Sequence, residues 1–236
     1  MKTKILTILL LLLIILISNA NSQESKRRYY SVEIEGVLCG YFTSDIEATT
    51  YNSNAAIESR DTVNLLLRAL EQDVNMQIIN KHIIDKETNM IGFNSTRMYN
   101  DGGESLNITN EIHDGYVIFR DLAAESVDTI AYSDEVIFDN PLSSYYLIND
   151  FHKKDIKEKT YRKYDYTRGR ISDHIYTLLR NETLTLAGRE FSTLVFEDHS
   201  PDDGLRTTYW INIDDGIEVK MEVMNRKISL AAVSYT

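Results

Sequence analysis

Cysteine, histidine and aspartate can together form a nucleophilic centre, and the chain contains one such combination. Cys39 is its only cysteine, and His113 is followed directly by Asp114. Thiolate attack needs an adjacent base and a group that orients the base. Cys39, however, falls in the middle of a predicted strand, without a helix N-terminus or a basic neighbour to stabilise a thiolate. We therefore favour a buried structural cysteine and predict that the protein is not an enzyme, with a Cys39-dependent hydrolase as the exception.

Metal and cofactor sites have little support in the sequence. The five histidines show neither His-x-His nor His-Glu-x-x-His spacing, so a zinc site is not indicated. Residues 197–204 are rich in oxygen ligands but lack the alternating spacing of a calcium loop. Asp, Ser, Pro and Gly are also the usual residues of turns. We predict no metal and no cofactor.

Residues 153–170 are basic and interleaved with tyrosines. Such a segment can bind an acidic glycan or a phosphate-bearing surface. It is also typical of an exposed hairpin whose Lys and Arg stems cover the edge of a sheet. We favour the exposed hairpin.

The strands that position these side chains are clearest at residues 208–230. Apolar and polar residues alternate on both sides of an Asp-Asp-Gly sequence, the period of two half-buried strands in a hairpin. A three-residue loop ending at Gly216 keeps both apolar sets on one face and sets Ile211 opposite Val219. The loop needs a left-handed residue at its end, which glycine provides.

Other hairpins follow the same pattern. A two-residue turn at residues 35–36 pairs Ile34 with Val37 and brings Tyr30 opposite Tyr41 on one face. Further turns that join predicted strands lie at residues 85–89, 114–115, 187–188 and 225–227.

Two segments carry helical signals. Asn140 as N-cap and Pro141 at the first helical position predict a helix that extends to Phe151. The segment from Val63 to Leu70 fits either one face of a helix or a strand buried on both sides. The residues alone leave that alternative open.

The hairpins together resemble a known bacterial architecture. They resemble the β-rich N-terminal domain of exported bacterial transglutaminase-like proteins and are similar to periplasmic lipoprotein-carrier (LolA/LolB-like) open barrels. The residues that carry the resemblance are Tyr30-x-Val32-x-Ile34-x-Gly36-x-x-x-Gly40-Tyr41, Leu184-x-Leu186-x-Gly188-x-x-Phe191-x-Thr193-Leu194-Val195 and Tyr209-Trp210-Ile211-x-x-x-x-Gly216-Ile217-x-Val219-Lys220.

The resemblance implies a mainly β fold. The expected form is a single curved antiparallel sheet or open half barrel with one or two short helices packed on the concave side. It also implies long strands over residues 63–84. Because the sequence ends at Thr236, we expect no positions here for the catalytic residues of the transglutaminase-like family.

Aromatic and leucine residues suggest a ligand pocket in such a barrel. If they line the concave side, they can hold an acyl chain or another lipid-like molecule. The alternative is a core filled with side chains, as is normal in small sheets. The candidate pocket residues are Tyr41, Leu65, Leu67, Tyr209 and Trp210.

The N-terminus and the charge indicate where the protein works. Residues 1–22 read as a secretory signal with two lysines and an apolar core of 13 residues, too short to span a bilayer. The net charge is −11, and without the two signal lysines it is −13, with 23 basic and 36 acidic residues. Nucleic acid and anionic membranes are therefore unfavourable partners. No cysteine stands at the expected cleavage site directly after the apolar core, so a lipid anchor is not expected.

We read a charged lead at residues 23–28 and a single β-rich domain at residues 29–236. The sequence thus predicts a soluble exported protein, periplasmic or extracellular, that is not inserted in the membrane once the signal is cleaved. Its predicted function is non-catalytic binding of a hydrophobic or lipid-like ligand. The alternative is an accessory module that docks on a separate enzyme or cell-surface partner.

Overall fold

The computed structural model describes residues 26–69, 72–202, 204–224 and 228–235. The predicted signal segment and the turn at residues 225–227 lie outside them. Within the described residues, fifteen strands form one sheet. They are β1 (Lys26–Ile34), β2 (Val37–Tyr51), β3 (Asn54–Ala69), β4 (Gln72–Asp85), β5 (Ile91–Asn100), β6 (Gly103–His113), β7 (Tyr116–Asp121), β8 (Ser126–Ala131), β9 (Val136–Ile137), β10 (Glu158–Asp165), β11 (Arg170–Leu186), β12 (Arg189–Ser200), β13 (Leu205–Asn212), β14 (Glu218–Val223) and β15 (Ile228–Tyr235).

The sheet is curved but not closed by hydrogen bonds. Its order runs β8 to β1 and then β15 to β9, so β8 and β9 are the two edge strands. Its pairs are antiparallel except β9 with β10. Side chains from both ends of the sheet meet instead: Val117, Val136 and Tyr164 form one buried cluster. The Asn110 side chain also donates a hydrogen bond of 3.0 Å to the carbonyl oxygen of Tyr166. The predicted mainly β fold with a single open sheet is confirmed.

A short helical segment covers part of the inner face. Helix α1 (Tyr145–Leu147) continues into a π-helical turn (Ile148–Lys153). Leu147 and Phe151 pack with Phe196 and Ile211 of the sheet in one buried cluster. Each of these side chains is almost fully removed from water, and burial of that kind stabilises the fold by about 1.5–3 kcal/mol per side chain.

The predicted helix start at Asn140 is wrong. The Asn140 side chain accepts a hydrogen bond from the Leu142 amide and so forms a local turn. Ser143 Oγ donates to the carbonyl oxygen of Asp215, which ties the segment to the β13–β14 connection. The helix therefore begins only at Tyr145.

Several predicted registers are confirmed. Ile112 lies opposite Val117, and Val223 lies opposite Ile228. Gly216 has the expected left-handed φ of +69°. The undecided segment at Val63 belongs to strand β3, while Leu70 lies outside the described residues. Strand β1 begins at Lys26, so the end of the predicted charged lead is part of the sheet.

Two β-bulges change the predicted pairings. A register shift between Val32 and Glu33 places Tyr30 opposite Phe42 rather than Tyr41. A second shift, after Trp210, places Ile211 opposite Glu218 instead of the predicted Val219. A bulge inserts one residue into one strand, and a one-residue slip turns each following side chain to the other face.

Candidate functional site

Three adjoining cavities form a trough on the inner face of the sheet, and we call them together the concave trough. The central cavity has a volume of about 240 Å³. The His174 cavity, of about 410 Å³, shares Lys163 with it, and the Phe42 cavity, of about 260 Å³, shares Glu218 with it. Side chains from β4 and β10, far apart in the strand order, line the same cavity because the sheet curves around it.

Lys163 is the buried cation of the concave trough. Its Nζ lies 2.6 Å from Asp139 Oδ2 and 4.0 Å from Asp198 Oδ2, and it donates a hydrogen bond of 2.7 Å to Tyr176 Oη. Burial alone lowers the pKa of Lys163, but the attraction of Asp139 and its neighbours raises it well above the usual range. Lys163 is therefore a permanent ammonium group.

The prediction of an exposed basic hairpin is wrong at this strand. In β10, Tyr161 and Lys163 are buried while Arg162 between them is exposed. The period of two in a strand sends alternate side chains to opposite faces. One basic residue of the predicted exposed hairpin therefore enters the concave trough.

Tyrosine hydroxyl groups form much of the wall of the central cavity. Tyr146, Tyr176 and Tyr209 all line it. Burial raises the pKa of each of these hydroxyls, so all three stay protonated. Tyr146 Oη also donates to Asp139 Oδ1 at 3.2 Å. The wall thus offers neutral hydrogen-bonding groups on flat apolar rings.

A chain of side-chain hydrogen bonds fixes the tautomer of His82. Tyr164 donates to Asn110 Oδ1 at 2.7 Å, and the Asn110 amide donates to Asn94 Oδ1 at 3.0 Å. The Asn94 amide lies 3.1 Å from His82 Nε2, which must then accept. The proton of a neutral imidazole is therefore on Nδ1.

This His82 Nδ1–H has no hydrogen-bond partner among the described residues, although the side chain is buried. Burial lowers the pKa of His82 to about 4, so the ring is neutral at physiological pH. His82 lines both the central cavity and the His174 cavity. An unsatisfied buried donor costs about 1–3 kcal/mol, which a ligand acceptor would recover.

Two acidic groups line the Phe42 cavity. Burial raises the pKa of Glu218 to about 8, and no described side chain forms a hydrogen bond or ion pair with its carboxyl group. Burial also raises the pKa of Asp61 to about 6, against the opposing effects of Ser44 and Arg28. Asp61 Oδ1 has no partner among the described residues. Glu218 is thus mostly protonated at pH 7 and can donate as well as accept a hydrogen bond.

Ser172, His174 and Asp198 form a connected group in the His174 cavity. Ser172 Oγ lies 3.2 Å from His174 Nε2, and His174 Nδ1 lies 2.9 Å and 3.1 Å from the two oxygens of Asp198. The sequence analysis did not single out this group. Its signal was the Ser-x-His spacing, which puts both side chains on one face of a strand.

The five residues predicted to line one pocket do not converge. Tyr209 lines the central cavity, whereas Trp210, its neighbour in β13, lines none of the three cavities and belongs to the buried cluster of Tyr30 and Val195, against which Phe42 packs. Tyr41 is 53% exposed on the face of the sheet opposite Phe42, and it lines a shallow groove that Leu65 also borders, outside the concave trough.

Leu67 is partly buried in β3 and lines none of the three cavities of the concave trough. The β1–β2 bulge explains why Phe42, and not Tyr41, enters that trough.

The proposed Cys39 centre is not assembled. Cys39 lies in β2, whereas His113 ends β6, and three strands separate β2 from β6 in the sheet. The predicted burial of Cys39 is also wrong, because the residue is only partly buried and its thiol donates to the Val37 carbonyl oxygen at 3.2 Å. In the part of the chain that the structure describes, no group of three His, Cys, Asp or Glu side chains is placed to hold a metal ion.

The fold and the concave trough define a β-barrel-like protein with an open sheet and a partly charged inner cavity. Within the described residues, no helix has the length and hydrophobicity needed to cross a membrane. No protein-family model matches the chain, and no curated protein matches it.

The chain is similar to the solved structure of a β-barrel-like protein of domain of unknown function DUF1849 from Brucella abortus. The TM-score is 0.64 at 11% identity, over 88% of this chain and 94% of that one. A DUF1089 family protein from Pseudomonas aeruginosa aligns with a TM-score of 0.39 at 10% identity, over 75% of this chain and 87% of that one.

At such low identity, the similarity to the Brucella protein shows the fold alone. It agrees with the β-rich open barrel that the sequence resemblance implied. The finer resemblance, to the N-terminal domain of transglutaminase-like proteins, stays a prediction.

Proposed function

We propose that the protein is an exported binding protein that holds one amphipathic, lipid-like molecule in the concave trough. The observation that carries this proposal is the continuity of the three cavities through shared walls at Lys163 and Glu218. Pockets that bind small molecules combine apolar walls with a few polar groups that fix orientation. The concave trough has both, and the Phe42 cavity combines apolar side chains with Asp61 and Glu218.

The Phe42 cavity fits the apolar part of such a ligand. Phe42, Val63, Met221 and Leu230 contribute apolar side chains to its wall. The ring of Tyr30 stacks on Phe42 with a centroid distance of 4.8 Å, which holds Phe42 in place. Each methylene group of an acyl chain buried there adds about 0.8 kcal/mol of binding free energy.

The central cavity fits the polar end of the ligand. His82 offers an unpartnered Nδ1–H, and the tyrosine hydroxyls offer neutral donors and acceptors. Lys163 is already neutralised by Asp139 at 2.6 Å. These groups favour an uncharged oxygen-rich headgroup, such as a hydroxyl or ester group, over a fully charged anion.

Titration with a pyrene-labelled fatty alcohol, which carries a hydroxyl headgroup and no ester bond, tests this function. The wild type is expected to bind the probe, and Phe42→Glu should weaken binding at least tenfold, equivalent to about 1.4 kcal/mol. Tyr41→Glu is the matched control, because Tyr41 neighbours Phe42 in β2 but is exposed on the opposite face. A wild type that binds no probe, or equal losses in both folded variants, would contradict the proposal.

An accessory role is the second candidate, supported by the shallow groove outside the concave trough. Tyr41 and Leu66 line this groove and are 53% and 56% exposed. Exposed apolar patches often mark protein interaction sites. A photo-crosslinking amino acid at position 66 should capture a specific protein in the source cell, whereas the exposed Glu190 position should not. Equal capture from both positions would remove this candidate.

A further inference from the structure

Ser172, His174 and Asp198 have the connectivity of a nucleophilic serine centre. Ser172 and His174 are two positions apart on β11, so their side chains leave the same face of the sheet. Asp198 on the neighbouring β12 accepts from His174 Nδ1 at 2.9 Å. This bond leaves Nε2 as an acceptor, and Ser172 Oγ lies 3.2 Å from it. A serine nucleophile requires this order of base and orienting group.

The surroundings hold this group rigid but accessible on one side. Ser172 and Asp198 are 6% and 5% exposed to solvent, whereas the His174 side chain is 21% exposed. All three line the His174 cavity, whose volume of about 410 Å³ suffices for a small ester. Because each of these strands is hydrogen-bonded to a neighbour on both sides, the side chains have little freedom to move apart.

The same cavity contains Lys163, which is paired with Asp139, and the unpartnered imidazole donor of His82. Lys163 lies directly opposite Ser172 in the β10–β11 ladder, where side chains are about 4.5–5.5 Å apart at Cβ. His82, which also lines the cavity, carries the unpartnered Nδ1–H. Donors preorganised around the position of a tetrahedral oxyanion lower the barrier to acyl transfer.

We propose that Ser172 is the nucleophile of a carboxylic-ester hydrolase site, with His174 as general base and Asp198 as its positioning residue. Ser172 Oγ attacks the ester carbonyl carbon while its proton passes to His174 Nε2. The carbon–oxygen bond to the alcohol breaks, and the alcohol leaves with that proton. Water then attacks the acyl carbon and gives a proton to His174. The carboxylic acid departs, and Ser172 recovers its proton.

This activity goes beyond the proposed binding function and does not depend on it. A small activated ester needs only the His174 cavity, whereas the lipid-like ligand is proposed to extend into the Phe42 cavity. The site also departs from the sequence expectation of a protein without catalytic residues.

Covalent labelling tests the site directly. The purified full chain is incubated with a fluorescent fluorophosphonate, and the adduct is located by peptide mass spectrometry. Labelling is expected on Ser172, to be absent in Ser172→Ala, and to persist in Ser200→Ala. Ser200 is the matched control because it is a buried strand serine of β12. A wild type without an adduct on Ser172 would overturn the proposal.

Hydrolysis of p-nitrophenyl butyrate provides the second readout. The wild-type rate should exceed that of Ser172→Ala by at least about a hundredfold, the lower range for general base catalysis. Asp198→Asn should slow labelling of Ser172 without abolishing it. Equal rates of ester hydrolysis in wild type and Ser172→Ala would refute the assignment.

A second variant, Ser172→Cys, keeps nearly the same side-chain shape and is used if Ser172→Ala does not fold. Ser172→Cys should lose fluorophosphonate labelling and gain iodoacetamide labelling at position 172, and an added His174→Gln substitution should suppress that gain. Thiol labelling unaffected by His174→Gln would count against a base role. Binding of the pyrene probe and labelling of Ser172 are measured separately on the wild type, so that the binding and hydrolysis proposals can fail separately.

Discussion

Glu218 should make the protein less stable as pH rises, and Glu218→Gln should remove that effect. The β13–β14 bulge turns this carboxyl group into the concave trough. Burial there raises its pKa from 4.5 to about 8, with repulsion from Asp139 added. The folded protein therefore holds this proton over a pH range in which the unfolded chain releases it.

The sign of the effect follows from proton linkage. Stability falls with pH wherever the folded state binds more protons than the unfolded state. For Glu218 this range runs from about pH 4.5 to about pH 8, and the loss is complete above it. The full change in pKa corresponds to about 5 kcal/mol at 1.36 kcal/mol per unit. Because Glu218 is only partly buried and reaches water through the trough, screening reduces the expected effect to about 2 kcal/mol.

Urea unfolding at pH 5 and pH 9 measures this effect. Wild type and Glu218→Gln should have similar free energies of unfolding at pH 5, and the variant should be about 2 kcal/mol more stable at pH 9. Other titrating groups, such as Asp61, change both proteins alike and cancel in the difference. Glu190→Gln, at an exposed position of β12, is the control and should follow the wild type. If the difference between wild type and Glu218→Gln is the same at both pH values, the reasoning is refuted.

Three further predictions concern packing and the remaining charges. Gly40→Ala should destabilise by about 1–3 kcal/mol in thermal unfolding, since its Cβ would collide with the Asn64 carbonyl oxygen. Gly103→Ala, where the nearest atom is 3.5 Å away, should change less. Burial alone would raise the pKa of Asp150, but hydrogen bonds from two lysines and a tyrosine outweigh it and hold the pKa below its usual value. The stabilisation that the ionised Asp150 provides is therefore present above about pH 4 and is lost at lower pH. Asp150→Asn should therefore lower the free energy of unfolding by about 3–5 kcal/mol at pH 7 and by much less at pH 2. Equal losses at both pH values would contradict this prediction. Cys39→Ser should change stability by less than about 0.5 kcal/mol and leave ester hydrolysis intact; loss of hydrolysis would point back to the thiol.

The strand pattern was predictable because it depends on local periodicity and turn chemistry. Alternating apolar residues defined most strands, and Gly216 marked a turn that the structure places with φ +69°. The helix start was not predictable in this way. Asn140 has the right residue type for an N-cap, but tertiary hydrogen bonds of the following residues to the β13–β14 connection prevent helix formation there.

The sequence by itself determined the strands and hairpins of a mainly β chain, because the side-chain period of two and the turn residues depend on local sequence. The open sheet was an expectation from the family resemblance. Only the tertiary structure decided which residues face the trough. Two bulges brought in Phe42 and Glu218 where the simple registers predicted Tyr41 and Val219. A slip of one residue reverses every face beyond it, and a bulge depends on twist and packing across strands that are far apart in the chain. The curvature of the sheet then places side chains of β4, β10 and β12 around one cavity. Charged groups that no sequence motif connects therefore lie close together.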